Sequence, residues 1–336
     1  MKKNECDMVV ISDLHFGYDY RTKPRLTAFQ RLVDEVSKIV KKAIVFLGDI
    51  FHSRFLRGED VHVVIDGFEK MKGNAEGYII LGNHDLESKE RYVVRFLSKQ
   101  FTLFTDIQLI DIAGYKCLVI PYKLWQPSPP LPQFNFNQVD LVLGHQYIHE
   151  LVNFPIQIQE GYSIDVFRDK VETVIMGHLH TDHTEQVGMT KFYTGCTTPV
   201  SFTDNLVESR YYVIKDGMVE VIHNHSVKFI DLRRLNKNVS IEDMVCDECT
   251  SIIRAYEDDP RLSKIRSVRN LILQTFTPMK VEAPKSKFEQ VKLTTAELPI
   301  EDALQVYVNT TYASLPETER VSIIEKGKEY LNTARR

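Results

Sequence analysis

No run of apolar residues in this chain approaches the ~20 needed to cross a bilayer as a helix, which argues against a membrane-spanning protein. The opening residues Met1-Lys2-Lys3-Asn4-Glu5-Cys6-Asp7 contain no apolar signal region, so a cytoplasmic location is expected. Cysteine is scarce, odd in number (5) and scattered, which excludes a disulfide framework. Cys246 and Cys249 form a lone Cys-x-x-Cys without further zinc ligands at useful spacing. They read as ordinary thiols on a helix, and Cys6, Cys117 and Cys196 as packing residues. Positive charge is not in excess either: 42 Lys and Arg face 46 Asp and Glu, for a net charge of −4. That balance excludes holding nucleic acid by bulk attraction, so any such contact must use local patches or a partner. Internal repeats and low-complexity tracts are absent as well.

What is present is a series of short motifs in fixed order: Asp13-Leu14-His15, Gly48-Asp49, Gly82-Asn83-His84-Asp85, Gly144-His145 and Gly177-His178-Leu179-His180. Each follows an apolar run, at 8–11, 43–47, 78–81, 139–143 and 173–176. These runs are short, rich in Val, Ile and Leu, and stopped by polar residues or glycine, which marks buried strands. Ligands at the carboxyl ends of several strands converge on one crevice, where open α/β sheets build their sites.

The residue types suit two divalent cations about 3.5–4 Å apart, which need oxygen and imidazole donors and a carboxylate able to bridge them. Asp49 is the expected bridge. Asp13, His15 and His180 are assigned to one ion, and Asn83, His145 and His178 to the other. The neutral amide of Asn83 keeps the ligand charge low, which leaves the ions electrophilic. His84, beside a ligand but directed elsewhere by the alternation of an extended segment, is the candidate proton donor to a leaving oxygen. Any one of these short motifs arises by chance; their joint order at the ends of separate apolar runs is what points to a metal site.

The motif set resembles the calcineurin-like metallophosphoesterases, and within them the SbcD-type nuclease subunit of DNA double-strand-break repair, including phage recombination endonucleases. Gly48-Asp49-Ile50-Phe51-His52 is similar to that group's Gly-Asp-Leu-Phe-His, in which the last histidine assists the catalytic one. Tyr193-Thr194-Gly195-Cys196-Thr197-Thr198-Pro199-Val200-Ser201-Phe202 resembles Tyr-x-Gly-Ser-Pro-x-Pro-x-Ser-Phe, and Asp13-Leu14-His15-Phe16-Gly17 resembles Asp-x-His-Leu-Gly. The likeness covers roughly residues 8–230; it departs at Phe16 and at Cys196-Thr197, neither a candidate ligand.

The resemblance implies a four-layer α-β-β-α metallophosphoesterase sandwich with a small C-terminal α+β capping domain. It also implies two Mn(II) ions (Mg or another divalent metal being acceptable to the same donors), DNA as substrate, a homodimer, and an SbcC-type ATPase partner of the SMC-like class in a bacterial or phage-infected cell. His52 is then the helper of His84, and Asp85 a stabiliser of its loop. The protein phosphatases of the superfamily carry Gly-Asp-x-x-Asp-Arg-Gly and Gly-Asn-His-Glu. Here Gly48-Asp49-Ile50-Phe51-His52-Ser53-Arg54 and Gly82-Asn83-His84-Asp85 stand instead, which weakens a phosphatase reading. A phosphomonoesterase, a small-nucleotide phosphodiesterase and a non-catalytic DNA-end-binding subunit are the alternatives.

With 336 residues and 43% hydrophobic content, the chain can bury one large core and carry a smaller second domain. Helical stripes at 25–40 and 61–71, alternating with strands, argue for parallel β-α-β units. Residues 125–132 carry four prolines and should form an irregular loop. Short strands at 191–194, 210–214, 219–223 and 228–232 are expected to close the second sheet. A nuclease domain over 1–234 is then followed by a capping and partner-binding region over 235–336. Within the latter, 241–256 reads as a helix, 270–276 as a strand and 316–334 as a terminal helix.

Basic residues near the motifs, Arg21, Lys23, Arg25, Arg54 and Arg57, are candidates to steady phosphates at the rim of the crevice, or else solvated loop residues. Arg261, Lys264, Arg266 and Arg269 either grip a DNA backbone or are neutralised by Glu257, Asp258 and Asp259. Val321, Ile324, Tyr330 and Leu331 face either a partner or the chain's own cap. The remaining histidines, His62, His149, His183, His223 and His225, read as structural or exposed.

Overall fold

In the computed structural model, two six-stranded sheets form the body of the molecule. Residues 6–276 are described apart from 18–21, 54–55, 89–90, 124–130, 132–133, 152–160, 205, 225, 237–238, 242–243, 246–249, 257–258 and 266–270; beyond them, so are 308, 317, 320, 321, 324 and 325. The first sheet runs edge to edge through Met218–His223, Arg210–Lys215, Cys6–Ile11, Val40–Phe46, Glu76–Ile80 and Thr102–Phe104. The second runs through Thr184–Val187, Thr190–Thr194, Thr173–Gly177, Leu141–His145, Tyr115–Ile120 and Gln108–Ile112.

The central strands are apolar on both faces, so side-chain alternation divides each one between two cores. Met8 and Val10 pack with Ala43, Val45, Tyr78 and Ile80 against Cys117, Val119, Leu141, Leu143 and Ile175 of the other sheet. Their neighbours Val9 and Ile11 turn outward with Ile44, Phe46 and Ile79, onto the helices Thr22–Val36 and Gly58–Lys72. The second helix opens with Glu59 and Asp60, ends with Lys70 and Lys72, and stops at Gly73, a charge order that matches the helix dipole. Phe68 of this helix stacks on Phe46 with ring centroids 3.8 Å apart.

The sandwich of the expected fold is thus present, with one difference in its fourth layer. Among the described residues, the outer face of the second sheet is covered by short 3-10 turns at Phe136–Gln138, His149–Leu151 and Ile164–Val166, with Phe167 and Tyr162 packed on Val142, Val174 and Phe192.

Three assignments of secondary structure are corrected. Arg210–Lys215 joins the first sheet antiparallel to Cys6–Ile11, and Met218–His223 pairs antiparallel with Arg210–Lys215 at its edge, instead of closing the second. Alternation identifies a strand but carries no information about its neighbour. Val227–Asp231 belongs to neither large sheet: it begins a separate parallel sheet with Thr250–Tyr256 and Leu271–Phe276. The segment 250–256, read as the end of a helix, is therefore a strand. Its Ile252 packs with Phe229 and its Ile253 with Ile230 on opposite faces, and a strand buried on both sides has the same unbroken apolar run as a buried helix.

This third sheet draws one strand from before Arg234 and two from after it. The chain divides into compact units at Met1–Pro278 and Met279–Arg336. In the second unit the described residues Val308, Glu317, Arg320, Val321, Ile324 and Glu325 are helical; Ile324 is buried and Val321 exposed. The proline-rich 125–130 and 132, together with Cys246, Cys249, Glu257, Asp258, Arg266, Arg269, Tyr330 and Leu331, lie outside the described residues. Arg261 is buried and forks Asp259 while donating to the carbonyls of Leu232 and Asn236, as expected of a neutralised charge run. Among the described residues no helix is long and apolar enough to cross a membrane.

Because Phe68 is fully buried and stacked on the sheet that carries the first ligand loops, Phe68→Ala should cost about 3–5 kcal/mol of stability. Urea unfolding followed by circular dichroism measures this as a lower midpoint.

Candidate metal centre

Five parallel strands deliver the candidate ligands, three from the first sheet and two from the second. Asp13 and His15 follow Cys6–Ile11, Asp49 follows Val40–Phe46, and Asn83 follows Glu76–Ile80. His145 ends Leu141–His145, and His178 and His180 follow Thr173–Gly177. The loops keep strand-like pairing as they leave the sheet: Asp13 N–H donates to Gly48 O (3.1 Å), His15 N–H to Asp49 O (2.9 Å) and Phe16 N–H to Ile50 O (2.8 Å). In the second sheet, Gly177 pairs with His145, which sets His178 beside it.

The side chains gather in two groups around Asp49. His180 Nε2 lies 3.3 Å from Asp13 Oδ1 and 3.1 Å from His15 Nε2, and His15 Nε2 is 3.6 Å from Asp49 Oδ2. On the other side, His145 Nε2 lies 3.4 Å from Asp49 Oδ1 and 3.1 Å from Asn83 Oδ1. His178 joins that second group, with its donor atom within 4.8 Å of those of Asp49 and His145. The two oxygens of one carboxylate thus address two donor sets, the arrangement a bridging ligand requires.

Four candidate ligands have strained backbones: Asp13 (φ 52°), His15 (φ 47°), Asp49 (φ 50°) and His178 (φ 79°) all lie in the left-handed region, which non-glycine residues adopt uncommonly. Gly48, at φ +82°, and Gly82 bring their two loops together. A Cβ on Gly82 would overlap Asp49 and come within 2.9 Å of the His145 ring, so no larger residue fits between bridge and second donor set.

The imidazoles are oriented from outside. His180 Nδ1–H donates to Asp204 Oδ2 (3.1 Å), and His145 Nδ1–H donates to Leu47 O (2.5 Å). With Nδ1 so occupied, each directs Nε2 inward, as metal-ligating histidines do. His178 Nε2 is buried with no hydrogen-bond partner among the described residues, which is costly for a polar atom unless something else occupies that position. Mixed carboxylate, amide and imidazole donors, two inward-facing Nε2 atoms and an orphaned nitrogen together fit divalent cations.

Residues 8–182, from the first strand to just past His180, match the calcineurin-like phosphoesterase family. The chain belongs to that family. Among solved structures it is similar to phosphopantetheinyl hydrolase from Mycobacterium tuberculosis, at 13% identity over 58% of this chain and 91% of that one, with a TM-score of 0.40. An archaeal phosphodiesterase is similar at 15% identity, covering 64% and 98%, TM-score 0.36. A single mutant of Vps29 from Entamoeba histolytica is similar at 16%, covering 64% and 97%, TM-score 0.33. No curated protein sequence matches the chain.

In this calcineurin-like phosphoesterase, His84 and His52 stand beside the first donor group. His84 N–H donates to Asp49 Oδ1 (2.8 Å), and His84 Nδ1–H donates to the carbonyl of His52 (2.7 Å). The two rings stack with centroids 5.0 Å apart, and His52 Nδ1 is 3.4 Å from His15 Nδ1. Asp85 supports the bridge from behind: its carboxylate accepts from the N–H groups of Asp49 (2.8 Å), Gly82 (2.9 Å) and Ile50 (3.1 Å).

Of the expected rim arginines, Arg21 and Arg54 lie outside the described residues, as does the side chain of Lys23. Arg57 is half-exposed and forks Asp60 at 2.8 and 3.2 Å. Arg25 is not at the rim: it is 4% exposed and donates to backbone carbonyls on either side of it. Its place in a helix turned toward the core, not its charge, decides that. His62 and His149 are exposed, His183 is half-buried, His223 sits 3.3 Å from Glu208, and His225 lies outside the described residues. Asp204 is the residue the motifs missed; the only sequence signal for it is its place two residues after Phe202 at the end of the Tyr193–Phe202 motif.

Electrostatics divides the imidazoles. Burial drives His15 well below 6.5 and His178 to about 3, so both are neutral donors near neutral pH. Burial also opposes charge on His145 and His180, but Asp49 raises the first to about 9, and Asp13 with Asp204 raises the second to about 10. For Asp49 burial likewise opposes charge, yet the surrounding imidazoles hold its carboxyl well below the usual range. These carboxylates favour a proton on His145 and His180, so a cation that takes Nε2 of either must displace it. Apparent affinity for Mn(II) should tighten from about pH 6 to about pH 8, with proton release on binding. Calorimetry in buffers of different ionisation enthalpy reads both; an affinity independent of pH would contradict the protonation assigned here.

Proposed function

We propose that this phosphoesterase is a Mn(II)-dependent DNA nuclease, the exonuclease and endonuclease subunit of an SbcCD-like repair or recombination complex. In that reading it works in the cytoplasm as a homodimer with an SMC-like ATPase. The observation that carries this reading is the placement of His52 against His84 at the edge of the donor groups. That pairing is what the likeness of Gly48-Asp49-Ile50-Phe51-His52 to the SbcD-type motif requires.

When bound, a pair of divalent ions supplies charge neutralisation at the phosphate and acidity for the attacking water. The chain's own residues do the rest. Asn83 adds an oxygen donor without adding negative charge. With Nδ1–H tied to the His52 carbonyl, Nε2 of His84 is the atom that passes a proton to the departing sugar oxygen. His52, whose pKa burial and the neighbouring His84 lower to about 4, stays neutral and packs beside His84 without competing for that proton. Asp85 keeps Asp49 and the Gly82 turn in place through main-chain bonds. An acidic chain leaves much of the DNA affinity to an ATPase partner, consistent with a net charge of −4.

A labelled-duplex assay run beside a phosphomonoester substrate tests this. Mn(II)-dependent loss of duplex, increased by an SMC-like ATPase, supports the nuclease; turnover of the monoester alone, or no turnover of either, overturns it. His84→Asn should lower cleavage by about 10²–10⁴-fold while metal binding is kept, and His52→Ala should impair turnover without emptying the site in a metal titration.

A further inference from the structure

The segment that follows the last ligand motif is laced to the first ligand loop. Ser12 N–H donates to Thr197 Oγ1 (3.1 Å), Thr197 N–H donates to Ser12 O (2.9 Å), and Ser12 Oγ–H donates to Gly195 O (2.8 Å). The buried Arg25 extends the lacing: Nη1 donates to His15 O (3.2 Å), and Nη2 donates to Pro199 O (2.7 Å) and Val200 O (3.1 Å). Asp204 closes it. Its Oδ2 accepts from Val200 N–H (2.6 Å), Ser201 N–H (3.3 Å) and His180 Nδ1–H (3.1 Å).

Two of these bonds reach the group formed by Asp13, His15 and His180 directly, at His15 O and His180 Nδ1, and three hold Ser12, the residue before Asp13. Two members of the other group are oriented by different means: His145 rests on Leu47 O, and Asn83 follows the Gly82 turn that Asp85 holds; the third, His178, donates its N–H to the Asp13 carboxylate (3.2 Å) and makes no bond to Asp204. We infer that Asp204, on a loop fixed by Arg25, is a positioning residue for His180 that supports one of the two cation sites and not the other. The inference rests on the two-cation reading of the centre. It adds a dependence that none of the ligand motifs contains, since Asp204 would touch neither metal nor substrate.

A carboxylate behind a ligating histidine commonly changes metal affinity by about 10–100-fold when removed. Mn(II) titration of the full chain by calorimetry and electron paramagnetic resonance should show two ions in the wild type. In Asp204→Ala one ion should weaken by about 10–100-fold while the other binds as before, so that the spectrum of a coupled Mn pair gives way to that of a single ion. Asp204→Asn keeps an acceptor of the same shape without the charge; it should fall between the two and carries the test if the alanine variant does not fold. The ¹⁵N shifts of His180 should report loss of the fixed Nδ1–H form in the same variants, which general loosening of a loop would not produce. Equal weakening of both ions, or two ions bound at wild-type affinity in a folded variant, overturns the inference. A wild-type chain that takes up no pair of ions overturns the two-cation reading beneath it.

Discussion

The carboxylate of Asp49 is the constraint on which the rest of the site depends. Its Oδ2 faces His15, its Oδ1 faces His145 and receives the N–H of His84, and its own N–H is held by Asp85. A side chain so committed cannot rotate without breaking bonds on two loops. Burial makes such a charge costly unless partners surround it, and here the partners are the imidazoles themselves. In return, Asp49 raises the pKa of His145, and Asp13 with Asp204 that of His180, so positive charge is favoured at the positions a cation would take.

Holding four candidate ligands in the left-handed region requires a scaffold that over-determines them. Continued pairing of the loops after Cys6–Ile11 and Val40–Phe46 provides part of it, and the glycine contact at Gly82 another part. Burial of Asp85 and the nearby charge of Asp49 push its carboxyl upward, while the main-chain N–H groups it accepts from pull the other way. Its position is set by what it holds, not by exposure to substrate.

The sequence made the candidate ligands legible because each is local: a polar triplet at the end of an apolar run can be read without knowing the fold. What it hid depends on distant pairing. Asp204 acquires its role from His180, 24 residues earlier, and from the main chain of Val200, and no spacing encodes that meeting. Arg25 looked like a surface cation because charge suggests exposure, yet its carbonyl partners at His15 and Pro199 are contributed by loops far apart in the chain. The strands 210–215 and 218–223 are legible as strands but not as members of the first sheet, for the same reason. Thr250–Tyr256 failed differently, since a run buried on both faces has no period to read.

Each donor group combines residues from both sheets. Asp13 and His15 meet His180, and Asp49 and Asn83 meet His145 and His178, so the first sheet supplies every oxygen donor together with His15, and the second supplies imidazoles alone. The spacing between these groups is fixed below the site by the apolar layer in which Met8, Val10 and Val45 face Leu143 and Ile175. Precision at the centre is therefore a property of the inter-sheet core, which resists small displacements because it is close-packed. The converse also holds: cations bound between the sheets would tie them together at the open end of the sandwich, where that apolar layer stops, and binding to the folded form alone would add to its stability.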